Sequence, residues 1–172
     1  MGTATELVHR YAQQLAPCTP PYDESTRQLE YAYKSFIVAV QQLNDPVVEI
    51  RDALPRLHDE TDWRYVNLWL MAAIEHPDAT YVPELCALLM HRDRYIQHEW
   101  IAELLGDIGD SNAISALVDT CSAGETLAAA HSLAHRCIDS LQQIATPESK
   151  AAIETLAQFS IEHIRLYASG DW

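Results

Sequence analysis

Glycine is scarce in this 172-residue chain, with only five present, and Gly2, Gly124 and Gly170 lie outside its periodic segments. So little glycine, against abundant Ala, Leu, Gln and Glu, favours helix throughout. Alternation of polar and apolar residues is missing over any useful length, which argues against half-buried strands. No Cys-x-x-Cys pair exists among Cys18, Cys86, Cys121 and Cys137, so the thiols read as small buried hydrophobes rather than a disulfide or zinc framework. There is no basic segment leading into an apolar run at the N-terminus, and no run long enough to cross a bilayer. Gly2 is not followed by the Ser or Thr at position 6 that myristoylation needs, because Glu6 stands there. A cytoplasmic location is the expectation.

Positive charge is the other shortage. Lys and Arg total 11 against 25 Asp and Glu, for a formal charge of −14. The net values are −4, −7 and −3 over residues 1–60, 61–120 and 121–172, so the middle third is the most acidic. Nucleic-acid binding draws its affinity from phosphate neutralisation by Lys and Arg, and anionic membranes demand the same sign. Neither partner suits this chain; a basic protein or peptide does.

What is present is helical periodicity broken by short turns. With 48% apolar residues and this length, one domain spanning 1–172 is expected, large enough to hold together without metal or disulfide. A first helix over Thr3–Ala16 opens on a Thr3/Glu6 capping box and ends in the Pro-rich linker Pro17–Pro21, so residues 1–22 form a leading helix and linker. Stacked helix pairs then fill 24–167. Ser25 and Gln28 open a helix through Leu43, and Asp45 caps a fresh start at Pro46 that runs to Leu57, kinked by Pro55. Further helices are predicted at 62–75, 80–90, 94–108, 111–121, 126–145 and 148–167. Turns this short make neighbouring helices antiparallel.

Internal repetition accompanies the helices. Val82-Pro83-Glu84-Leu85, Ile114-Ser115-Ala116-Leu117 and Ile153-Glu154-Thr155-Leu156 each follow a polar turn, and they recur 32 and then 39 residues apart. A period in the thirties marks stacked helix pairs. The stretch Val82-Pro83-Glu84-Leu85-Cys86-Ala87-Leu88-Leu89, Arg92-Asp93 and Leu105-Gly106-Asp107-Ile108-Gly109-Asp110 resembles the HEAT-repeat family, in the short bacterial form of phycobilisome-lyase-type repeats. Asp45-Pro46-Val47-Val48-Glu49-Ile50-Arg51 resembles the inter-helix turn of an earlier copy. His98 stands where many copies carry Arg, and later copies lack the Gly-x-Ile-Gly-Asp ending. What the resemblance implies is a short all-α solenoid of antiparallel helix pairs. It specifies a shape and no activity.

Catalytic patterns are incomplete. His98-Glu99-Trp100-Ile101-Ala102 begins like a zinc-protease motif but has Ala where the second His belongs, and one imidazole cannot hold a catalytic zinc. His131 and His135 share a helix face, yet Cys137 points away from it, so the three read as ordinary packing and surface residues. No nucleophile elbow and no phosphate-cradling Gly loop is found. We expect neither enzyme activity nor a cofactor or metal.

The remaining signal is Glu99, Glu103 and Asp107, four residues apart on one predicted helix, with Ile96, Trp100, Leu104 and Ile108 on the adjacent core stripe. Like charges so spaced repel by about 0.2–0.5 kcal/mol per pair, and no Lys or Arg on that helix face offsets them. By the resemblance, this helix lines the concave surface, and Glu49 and Asp52 occupy the equivalent helix one unit earlier. The expectation is a non-catalytic protein-binding module with an acidic groove for a basic partner, for instance an immunity-type inhibitor of a toxin. The resemblance also implies a second reading, a bilin or tetrapyrrole lyase-like or chaperone-like protein; a DNA glycosylase on the same scaffold is opposed by the missing basic groove. Trp63, Tyr65, Trp69, Tyr95 and Trp100 are expected mostly in the core, with one or two as rim anchors for a partner.

Overall fold

A computed structural model describes residues 2–15, 25–91, 96–123, 130–159 and 161–170, with the side chains of 25–29, 130 and 131 outside that description. Ten α-helices and three short 3-10 helices make up the described residues, and none of these residues is in a strand. No helix of the described residues is long and apolar enough to cross a membrane. The helices divide into two compact units, Met1–His76 and Pro77–Trp172. The division falls in the His76-Pro77-Asp78 turn.

The first unit holds α1 (Ala4–Leu15), α2 (Ser25–Val40), α3 (Val47–Ala53), a 3-10 turn (Leu54–His58) and α4 (Trp63–Glu75). The Thr3/Glu6 capping box forms as expected: Thr3 N donates to Glu6 Oε2 at 3.0 Å and Glu6 N to Thr3 Oγ1 at 3.2 Å. The Ser25/Gln28 box lies outside the described side chains. Asp45 does not cap. It sits at φ 53°, and the next helix starts at Val47 with Pro46 as its N-cap and no side-chain cap bond. The residue ahead of a proline is pushed out of right-handed helical space, and Asp is among the few non-glycine residues that tolerate the left-handed region. Pro55 turns the predicted kink into a change of helix type, α3 giving way to the 3-10 turn at Leu54.

α4 is the hub of this unit. Every residue from Val66 to Ala73 is buried, and α1, α2 and α3 all pack against it. A helix apolar on all sides needs cover on all sides, and three neighbours supply it. Asp62 caps it by accepting from Arg64 N at 3.1 Å. At its other end His76 Nε2 meets the Val40 carbonyl at 2.9 Å, tying the end of α4 to the end of α2.

The second unit runs through a 3-10 turn (Ala79–Tyr81), α5 (Val82–Met90), α6 (His98–Ile108), a 3-10 turn (Ser111–Ala113), α7 (Ile114–Ser122), α8 (Ala130–Ile144), α9 (Pro147–Leu156) and α10 (Glu162–Ser169). The 32-residue recurrence is built into the fold. Asp78 accepts from Thr80 N and Asp110 from Asn112 N, each at 2.9 Å; each turn then closes as three residues of 3-10 helix and feeds a nine-residue α-helix. The two Asp side chains do the same work: each occupies an N-cap and satisfies an amide that the helix start would leave bare. The recurrence stops there. Ile153 lies inside α9, which is already helical from Pro147 and capped by Thr146, so no turn precedes it.

The helix predicted over 148–167 is two helices. α9 ends at Leu156, Gln158 N and Phe159 N close onto the Thr155 and Leu156 carbonyls, and α10 restarts at Glu162. Ala, Gln and Phe do not break a helix by propensity; packing of α10 back onto both α8 and α9 overrides the local preference. α8 is the second hub, touched by α6, α7, α9 and α10.

Candidate functional site

The acidic row lies on α6. Its apolar side, Ile101, Ala102, Leu104, Leu105 and Gly106, is buried. Glu103 and Asp107 are exposed and Glu99 is half-buried, as the four-residue spacing requires. Of the predicted core stripe beside them, Ile96 and Leu104 are buried while Trp100 and Ile108 are half-buried. Glu99 sits in the first turn, where the helix dipole favours a carboxylate; Asp107 sits in the last, where it does not.

One expectation about this face needs correction. No basic residue of α6 offsets the row, but α8 does. Arg136 Nε lies 3.9 Å from Glu103 Oε2, and Gln143 Nε2 donates to Asp107 Oδ1 at 2.6 Å. Both partners come from a helix some 30 residues downstream in sequence, so the α6 pattern by itself held no sign of them. A signal was available on α8: Arg136, Ser140 and Gln143 are spaced to share one helix face. That face meets α6 closely. Ser140 Oγ is 2.7 Å from the Ala102 carbonyl and donates to it, with the Arg136 carbonyl also within reach at 2.8 Å. A Cβ on Gly106 would fall 2.9 Å from Ser140 Cα, so only glycine permits the two backbones this separation. Glu103 and Asp107 therefore border a tightly packed seam, each approached by one polar side chain of α8. Arg136 and Glu103 are both substantially exposed, which leaves their pairing weak.

Glu49 and Asp52 are on α3, in the other unit. Glu49 Oε2 accepts from both Thr5 N and Thr5 Oγ1 at 3.0 Å, so this carboxylate serves the N-terminus of α1 from 44 residues away. Asp52 Oδ1 accepts from Arg51 Nε and Nη2 at 3.2 and 3.1 Å. Both carboxylates are engaged within the first unit, Asp52 by its neighbour Arg51 and Glu49 by α1, whereas the α6 row is the larger concentration of like charge.

Among the described residues, no group of three or more His, Cys, Asp or Glu is placed to hold a metal ion. The described cysteines are free thiols. Burial pushes Cys86 up to about 11, with Asp110 adding to the effect, and Cys121 to about 12; burial raises Cys137 further still. Thiols held so far above neutral pH are poor nucleophiles. Cys18, Arg92, Asp93 and Tyr95 lie outside the described residues, as does the His131 side chain. His135 faces α10, where its ring stacks on Tyr167. Of the expected core aromatics, Trp69 is buried and Trp63 and Tyr65 are half-buried, Tyr65 sharing a hydrogen bond with His9 at 3.1 Å.

No protein-family model matches this chain, and no curated protein matches it.

Proposed function

We propose that this protein is a non-catalytic binding module whose acidic α6 face engages a basic protein or peptide. The observation that carries the reading is the row Glu99, Glu103 and Asp107 along one face of α6, with Glu103 and Asp107 exposed and Arg136 approaching Glu103 at 3.9 Å, in a chain of net charge −14. An unbalanced row costs stability, and a cationic partner recovers that cost on binding. Its first contribution is to the encounter: complementary charge raises the association rate more than it tightens the final complex. The HEAT-like stacking of antiparallel helix pairs, the inhibitor role and a cytoplasmic setting belong to the same proposal. The paired Asp-capped turns ahead of α5 and α7 support the first of these.

A lysine-rich peptide of about twenty residues serves as the probe. Titrated against the protein, it binds at low salt and weakens steeply between roughly 50 and 200 mM, as exposed charges are screened. Replacing Glu99, Glu103 and Asp107 together with Gln reduces the affinity well beyond the change expected from net charge alone. Removing three exposed carboxylates elsewhere in the second unit, Glu148, Glu154 and Glu162, provides that baseline. Equal losses from the two triple variants would sink the α6 assignment.

A further inference from the structure

α10 is eight residues long, and Ile164 is the single one of them fully buried. Its neighbour α8 buries Ala134, Cys137, Ile138, Ser140, Leu141 and Ile144. A helix of eight residues is unstable by itself in water, and one buried isoleucine does little against the entropy of ordering it. Other contacts must fix its place. Tyr167 lies flat on His135 of α8, with ring centroids 3.9 Å apart and planes within 5° of parallel. The Tyr167 hydroxyl donates to Asp139 Oδ1 at 2.8 Å. His163, one turn earlier on α10, brings its ring centroid 6.0 Å from that of His135. His135 and Asp139 are four residues apart on α8 and so present one face, a ring and a carboxylate that receive the two parts of the same tyrosine.

We propose that α10 is a detachable helix, fastened to α8 by this His135–Tyr167–Asp139 clasp and opening as a unit while the rest of the second unit stays folded. The connection from α9 suits that motion. α9 ends at Leu156, the Gln158 and Phe159 amides close in 3-10 fashion, and Ile161 is extended where α10 begins, so α-helical hydrogen bonding is already interrupted between the two helices. Segments with few buried apolar side chains open at free energies far below global unfolding. Opening uncovers the seam between α8 and α9, since α10 packs on both. The clasp thus controls whether that seam is a surface.

Hydrogen exchange on the full-length chain tests this. The amides from Arg165 to Gly170, including Arg165 N bonded to Ile161 O at 3.0 Å, report on α10; those of residues 138–144 report on α8. In the native protein the α10 amides exchange at least about 100-fold faster than those of α8. Tyr167→Phe keeps the ring stack and removes the donated bond, and speeds α10 exchange roughly three- to tenfold without altering α6 or α8. His135→Leu keeps apolar bulk, removes the ring stack and acts in the same direction by a similar factor. Equal protection of α10 and α8 in the native chain would overturn the proposal. So would a Tyr167→Phe variant whose α10 exchanges at the native rate, or one in which α6 and α8 loosen to the same degree as α10.

Discussion

Substituting Gly106 by alanine sets two physical effects against each other with opposite signs. In an exposed helix interior, Gly→Ala stabilises by about 1 kcal/mol, because glycine loses more backbone entropy on folding. At Gly106 the new methyl would sit 2.7 Å from Gln143 Oε1 and 2.9 Å from both Cα and Cβ of Ser140. The Gln143 amide can swing aside, at the expense of its bond to Asp107. The Ser140 backbone cannot move without shifting α8. Forcing a methylene-sized group into a packed contact costs about 1–3 kcal/mol. Separating the helices also strains the Ser140 hydroxyl's bond to the Ala102 carbonyl, a further contribution of about 1 kcal/mol. Steric cost and lost bond together exceed the propensity gain, for a net destabilisation of about 1–3 kcal/mol. Urea unfolding followed by helical ellipticity reads this as a lower midpoint at unchanged slope. A raised midpoint would mean that propensity won and that α6 and α8 are not in contact at this position, which would remove the seam along which the acidic row is placed.

Four smaller perturbations follow from single contacts. Ala145 adopts φ 56°, so Ala145→Gly relieves a left-handed alanine and raises stability by about 0.5–1 kcal/mol in the same urea assay. Glu49→Ala strips the cap from Thr5 and costs about 1 kcal/mol, detected as fraying of α1 in hydrogen exchange, while Glu49→Gln, which keeps an acceptor, costs less. The hydrogen bond from Arg64 holds the Asp62 carboxyl below its usual range; this contribution is present above the unfolded Asp value and is lost as pH falls through the folded one, so Asp62→Asn flattens the acid limb of the stability–pH curve. The bond to Asp139 pushes the Tyr167 phenol above its ordinary value; its contribution is complete below the unfolded Tyr value and lost as pH rises through the folded one, so Tyr167→Phe removes one tyrosinate's worth of the alkaline absorbance change from above the ordinary tyrosine range.

Much of the helical layout was legible from punctuation. Thr3 with Glu6, Thr146 with Pro147 and Gly109 with Asp110 mark real ends, because caps and turns are local chemistry and need only a few neighbouring residues. Where that legibility failed, either an adjacent proline or a distant packing partner decided the outcome. Asp45 looked like a cap, but the proline after it dictated the backbone instead. Residues 148–167 kept a helical pattern without a breaker, and the fold divided them because α10 had somewhere to dock. The repeat spacing was right between Val82 and Ile114, where Asp78 and Asp110 build matching turns, and wrong at Ile153, where a similar string of letters lies in mid-helix.

The acidic row shows how far a one-helix pattern reaches. Spacing alone put Glu99, Glu103 and Asp107 on one face of α6, where Glu103 and Asp107 are exposed and Glu99 is half-buried. Spacing could not say which helix lies alongside, and that neighbour decides how much of the charge is left. Arg136 and Gln143 each approach one carboxylate, so the row is a strip partly balanced along one edge, where an undiluted field had been expected. A cation of the partner meeting this strip competes with Arg136 for Glu103 but with a neutral amide for Asp107. Removing Arg136 therefore frees one carboxylate and raises the local negative potential, whereas removing Gln143 changes no charge. If the strip steers a basic partner, Arg136→Gln quickens association and Gln143→Ala does not, and the difference shrinks as salt screens both. A pair of variants with the same on-rate at low salt would show that the charge beside α6 does not guide encounter.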